Sequence, residues 1–447
     1  MVEFKEGLYA DVRVEHCFST DISYQNGQLR NRSERKVSGA FIRVFDGERW
    51  YYSSTQTVED VPAELARLYA LAKEGADVCH HPLIERLQVN REEIYAFTEN
   101  DVRNIPLEEK DAFLTSLLPS LTAVQEGKMW MARYSDRHNI YEFTSSLGAH
   151  TAYDTQTCGI TAFVAMGTEE GKVYQHAFQK GNIDYAQLKA EVPTLLQDSL
   201  EEGVRFLKEA VPVEPGRYPV ILSPLAAGIF AHESFGHKSE ADFMLGDETL
   251  KKEWAIGKKV GSDILSIVDT GIPFGSGYVP FDDEGTKATK TYLIRNGVLT
   301  GRLHSAETAA ALGEGVTGNA RAMSTAYEPI VRMTNTYIEG GQDTLEELIG
   351  KVQHGYFIKT VSHGSGMSTF TLAPAISYEI VDGKLGKPVN ISVITGTVFD
   401  TLGKVAGLTK EVELLSFVSG GCGKMEQYPL PVGFGAPYVL VREMNVQ

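Results

Sequence analysis

The chain has 447 residues, 43% hydrophobic and 23% charged, which is enough for two or three domains around a sizeable core. A formal net charge of -17 with no basic stripe argues against a nucleic-acid partner, which needs clustered Lys and Arg to displace counterions from a phosphate backbone. The first residues, from Met1 to Glu6, lack the basic segment and apolar core of a signal peptide, and no apolar run approaches the roughly 20 residues that span a bilayer. The expectation is a cytoplasmic protein with no membrane partner, and its four scattered cysteines, Cys17, Cys79, Cys158 and Cys422, read as reduced thiols.

Alternating apolar residues from Ala10 to Ser54, with turn signals at Gln25-Asn26-Gly27 and Asp46-Gly47-Glu48, predict a meander of half-buried strands. Helical spacing of Val61, Leu65, Leu68 and Leu71 predicts a helix within residues 58–75. Cys79-His80-His81 reads as a loop, since three adjacent side chains converge poorly on one ion. The polar stretch 82–104 reads as a long excursion. A helix over 107–126 then leads to four short strands, over 128–136, 140–146, 149–153 and 157–166. One long amphipathic helix is predicted from Ile183 to Ala210, preceded by Asn182, and Val211-Pro212-Val213-Glu214-Pro215 reads as a linker. Beyond it, a strand over 218–222 precedes Ser223-Pro224, a favoured N-cap and first-turn pair, so a helix should run through Leu225, Ile229 and Phe230. Strands and glycine-rich turns follow, broken by helices at 305–312 and 344–353. The pattern predicts an α+β protein: an N-terminal mixed α/β domain with an antiparallel sheet (1–211) and a β-rich C-terminal domain (216–447).

The helix predicted after Ser223-Pro224 leads into His232-Glu233-Ser234-Phe235-Gly236-His237. Imidazoles hold zinc, and a carboxylate beside the metal can take a proton from water, so six residues contain the parts of a hydrolytic centre. Histidines five apart turn through about 500° of regular α-helix and diverge. A π-bulge, which makes i and i+5 neighbours, or unwinding at Gly236, would bring them together. A third ligand has to come from elsewhere. In Ser419-Gly420-Gly421-Cys422-Gly423-Lys424, small residues would let a thiolate approach a metal, although a lone cysteine is also an ordinary packing residue. The same segment is no phosphate loop, since Met425 and Val418 stand where that motif needs Ser or Thr and Gly.

The chain resembles the TldD/PmbA family, specifically its TldD-like zinc metallopeptidase branch, once described as modulating DNA gyrase. The resemblance rests on the His232 to His237 block with Glu240 and Asp242, on Asp282-Asp283-Glu284-Gly285, on Thr317-Gly318-Asn319 with Arg321, on Arg332 to Tyr337, and on Cys422-Gly423-Lys424 with Pro431-Val432-Gly433. It implies a zinc site with His232, His237 and Cys422 as ligands and Glu233 as general base. It also implies peptides or unfolded protein segments as substrates, and a dimer formed with a second copy or with a relative that lacks the metal motif. Ala241 departs from the family's glycine, and Ala322 from a second arginine, which bears on substrate contacts.

With two neutral imidazoles and one thiolate, such a site would carry a formal charge of about +1 and keep a fourth position open for water. Arg302, His304 and Arg321 are weaker candidates for holding substrate or stabilising an oxyanion. Two other classes remain open at this point. Cys422 could be a nucleophile with His232 or His237 as its base, or the chain could be a non-catalytic binding or regulatory subunit whose histidines merely pack.

Overall fold

A computed structural model describes residues 3–73 and 78–447. Its N-terminal half is built on long antiparallel strands: β1 (Tyr9–Gln25), β2 (Gln28–Phe45) and β3 (Trp50–Thr55). Asn26 and Gly27 both take positive φ, 47° and 79°, as a two-residue hairpin turn of matching twist requires. Helix α1 (Val61–Leu71) covers these strands with Val61, Leu65 and Leu68 buried; the end of the predicted segment, residues 74 and 75, lies outside the described residues. After β4 (Arg91–Ile94) and α2 (Leu107–Thr122) come β5 (Gly127–Ser145), β6 (His150–Gly167) and β7 (Val173–Asn182). The sheet order is β3-β2-β1-β5-β6-β4, with β7 also on β6.

Four strands expected between 128 and 166 are therefore two. The polar residues that read as breaks lie inside them and hold neighbouring backbone: Asp154 accepts from the Ala96 and Phe97 amides at 2.6 and 3.2 Å, and Gln156 accepts from the Val102 amide at 2.9 Å. Likewise β2 begins at Gln28, although residues 28–37 are nearly all exposed, and β7 carries no sequence signal strong enough to predict it. Helix α3 (Tyr185–Glu209) is capped by Asp184, whose side chain accepts from the Gln187 amide, rather than by Asn182. It packs its apolar stripe (Leu188, Val192, Leu196, Leu200) against the sheet.

The first residues of the expected linker pair as β8 (Val211–Pro212) with Val389 and Asn390. Next, β9 (Gly216–Leu222) lies between strand His354–Gly366, parallel to it, and strand Val439–Val446, antiparallel to it. Pairing continues through Ile394–Thr397 to Thr369–Val381, which pairs back onto His354–Gly366, so the path closes into a ring. A second sheet contains Ile267–Thr270, Asn335–Ile338 and Gly433–Ala436. Helix α4 (Pro224–Ala231) packs against Gly433–Ala436 on one side and His354–Gly366 on the other. As expected, Ser223 caps it, accepting from the Ala226 amide, with Pro224 in the first turn. The whole is an α+β fold, and α4 carries the histidine segment through the centre of its C-terminal core.

Candidate metal centre

Directly after α4, residues His232–Gly236 form one π-helical turn, and the His237 amide donates to the His232 carbonyl. This is the i to i+5 pattern that brings residues five apart onto one side. The two rings lie 5.2 Å apart between centroids. Gly236 keeps helical angles, φ -56° and ψ -51°, so no unwinding occurs there. Its lack of a side chain serves packing: a Cβ would stand 2.1 Å from Met333 Sδ. Phe235, fully buried against Trp254 with centroids 4.7 Å apart, anchors the turn by about 2–3 kcal/mol of apolar burial.

Cys422 reaches this turn from 185 residues away, its Sγ 3.3 Å from His237 Nε2. Ligand atoms of His232, His237 and Cys422 all lie within 4.8 Å of one another. Among the described residues this is the one group of three such donors; His80 and His81, in the loop at 79–81, instead approach Glu85 and pack on Phe45. Two imidazoles and a thiol match zinc's preference, and His232 Nδ1 is buried without a hydrogen-bond partner, which a bound ion and its waters would relieve. The donor set therefore fits a zinc ion.

Without an ion, the three groups polarise one another. Burial raises the Cys422 thiol, but hydrogen bonds with His232 and His237 outweigh it and bring it down to about 5. Burial lowers His237, yet its bonds to Cys422 and Glu240 push it up to about 10. Glu233 is half-buried in the same chamber, a cavity of about 140 Å³ also lined by Arg137, Phe417, Gly420, Pro431 and Phe434. It makes no hydrogen bond or ion pair among the described residues, so its carboxylate is free to handle a proton.

The motif blocks that looked like turns and strand ends hold this arrangement in place. Glu240 Oε2 lies 3.2 Å from His237 Nδ1, which directs Nε2 toward Cys422. Buried Lys424 donates to Glu240 at 3.0 Å, to both oxygens of Asp242 at 2.6 and 2.7 Å, and to the Val331 carbonyl at 2.8 Å. Fully buried Arg332 donates to the Cys422 carbonyl at 2.8 Å. In the sequence nothing assigns these residues a task; the one signal is that carboxylates and cations sit a few places from the two histidines and the cysteine. Burial raises both carboxyls, yet Glu240, with His237 and Lys424 as partners, ends below its ordinary value, while Asp242 ends above it despite Lys424.

The weaker candidates are occupied elsewhere. Arg302 and His304 both pair with Glu314, away from the chamber. Arg321 donates to the Met333 and Pro431 carbonyls at 2.5 and 2.8 Å. At the two departures from the family pattern, Ala241 is fully buried and the Ala322 amide donates to Asp283.

Residues 215–447 match the PmbA/TldA metallopeptidase C-terminal domain, and residues 10–76 match PmbA/TldA metallopeptidase domain 1. Over 445 residues the chain is 31% identical to a metalloprotease of Synechocystis, covering 98% of this chain and 94% of that protein. It is 26% identical over 446 residues to the zinc metalloprotease TldD homolog of Saccharolobus solfataricus, covering 98% and 96%. Its fold is similar to that of a putative modulator of a DNA gyrase from Thermotoga maritima, with a TM-score of 0.79 at 20% identity over 99% of this chain and 96% of that one. With its histidine turn and cysteine loop converged on one chamber, and with relatives matched along almost its whole length, this chain belongs to the TldD/PmbA family of metallopeptidases.

Proposed function

We propose that the chain is a zinc-dependent peptidase acting on peptides or unfolded protein segments, with His232, His237 and Cys422 holding the metal and Glu233 as general base. The observation that carries this is the convergence of the three donors within 4.8 Å beside a free carboxylate in an open chamber. A bound zinc ion would supply Lewis acidity, acidifying water and polarising the scissile carbonyl. Glu233 takes the proton of the attacking water on its carboxylate and passes it to the departing amine. Glu240 keeps His237 in one tautomer by accepting from Nδ1, and Lys424 and Arg332 hold the strand that carries Cys422.

A cysteine-nucleophile reading draws on the close contact of Sγ with His237 Nε2, but it leaves His232 and Glu233 without a task. Metal analysis and peptidase assays separate the two. Glu233→Ala should keep stoichiometric zinc and lose about 10²- to 10⁴-fold in kcat. Cys422→Ser should lose zinc as well as activity. Hydrolysis that survives a chelator would sink the zinc reading in favour of the thiolate one.

We also propose that the chain divides into two units, residues 1–211 and 216–447; the C-terminal family match that begins at residue 215 supports this. We further propose that it works in the cytoplasm, and as a dimer with a second copy or with a metal-lacking relative. Sedimentation of the purified chain, alone and with such a relative, reads which.

A further inference from the structure

We propose that Arg137 anchors a carboxylate of the substrate, so that the enzyme favours peptides presenting one, as an acidic side chain or a free C terminus, beside the scissile bond. The inference rests on the peptidase reading of the His232, His237, Cys422 and Glu233 chamber.

Arg137 lies midway along β5, directly opposite Thr157 on β6. Both residues line the chamber, and both also line an adjoining cavity of about 60 Å³ walled by Asn139, Tyr141 and Tyr153. Arg137 thus stands where the two spaces meet, and a chain passing from one to the other passes its guanidinium. The N-terminal sheet is held over the metal centre by backbone contact with the loop that leads to Cys422. A Cβ at Gly159 would lie 2.6 Å from Val418 Cγ2, and one at Gly181 would lie 2.4 Å from the Ser416 carbonyl oxygen. That closeness fixes where Arg137 sits relative to the ligands.

Every other charged side chain of the adjoining cavity has a partner. Glu15 and Asp283 each lie 3.1 Å from the Arg13 guanidinium, and Arg321 is taken by two carbonyls. Arg137 makes no hydrogen bond or ion pair among the described residues. Glu233, the free anion of the same chamber, does not pair with it. An unpaired guanidinium presents a planar fork of donors, and in a peptide the group that matches this fork with two oxygens is a carboxylate. Next to it, Asn139 Oδ1 is buried without a partner beside the stacked rings of Tyr141 and Tyr153, leaving a polar place for the neighbouring residue.

The test uses one peptide sequence, acetylated at its N terminus, in three forms: amidated and neutral, amidated with a single Glu moved along it, and with a free C-terminal carboxylate. For the zinc-loaded wild type, kcat/KM should be about 10- to 100-fold higher for one carboxylate form than for the neutral form, the range of a charge-assisted hydrogen bond. Which form is favoured tells an acidic side chain from a terminus. In Arg137→Ala that ratio should fall to about one, and Arg137→Lys should be intermediate, because an ammonium keeps the charge without the fork. Calorimetric binding of the same peptides to Glu233→Ala, with and without Arg137→Ala, reads the same discrimination without turnover. Equal kcat/KM and equal binding for all three forms in the presence of Arg137, or a ratio unchanged in Arg137→Ala, overturns the proposal. Hydrolysis insensitive to a chelator would instead overturn the metallopeptidase reading, and the binding comparison would still decide the role of Arg137.

Discussion

Glu240 has no exposure to solvent, and its Oε1 has no hydrogen-bond partner, yet its other oxygen is shared between His237 and Lys424. A buried carboxylate under such conditions is worth keeping only if its charge is used, and here it orients the His237 imidazole and meets a cation from the strand that carries Cys422. Glu240→Gln should therefore weaken zinc binding by about 10- to 100-fold in a chelator competition while leaving the fold intact. An unchanged affinity would show that the turn alone positions His237. Lys424→Met is expected to do more damage: with side chains 2% and 0% exposed, removing the lysine leaves Glu240 only His237 as a partner and deprives Asp242 of its cation, at a cost of about 3–5 kcal/mol in denaturant unfolding. Combining it with Glu240→Gln should recover part of that loss, which a simple loss of packing volume would not.

At the scale of elements, much of the histidine segment was legible. Ser223-Pro224 marked the helix start, and the five-residue spacing of the histidines called for either a π turn or unwinding at Gly236, of which the structure contains the first. What sequence could not supply was the reason for Gly236, because Met333, which fills the space of the missing side chain, is almost 100 residues away. Gly236→Ala should cost about 1–3 kcal/mol by overpacking and lower zinc affinity by shifting His237 against His232. Paired with Met333→Ala, the combined cost should fall short of the sum by about 1 kcal/mol or more, and strict additivity would place the strain elsewhere. The long strands were misread for a related reason. Asp154, Gln156 and His138 are polar residues within β5 and β6 that are buried against the segment around 96–104, so a local pattern that equates polar runs with turns broke each strand in two. That Cys422 stands beside the histidines was not legible in local pattern: its small neighbours showed only that a thiolate could approach a metal, and its place in a family motif pointed to this turn.

For the molecule as a whole, the two halves meet through buried charges. Arg13 on β1 lies between Glu15 and Asp283, and Arg43 on β2 lies between Asp11 and Glu284, so β1 and β2 are tied to the acidic turn at 282–285. Sharing one arginine between two carboxylates leaves one of them short of compensation. Burial raises the Glu15 carboxyl, Arg13 lowers it, and repulsion from Asp283 raises it again, so that it comes up to about 7. A carboxyl whose folded value lies above its unfolded one binds more protons when folded, so its contribution to stability is fully present below the unfolded value and is lost as pH rises through about 7. Glu15→Gln keeps a neutral side chain of the same shape at all pH values. Thermal unfolding from roughly pH 5 to pH 9 should therefore show the variant gaining on the wild type as pH passes through neutrality, on top of any constant offset from the lost contact with Arg13. A difference between the two proteins that stays flat across this range would mean that Glu15 is charged throughout. Arg13 would then serve it as fully as it serves Asp283, and the junction between the halves would carry no pH dependence of its own.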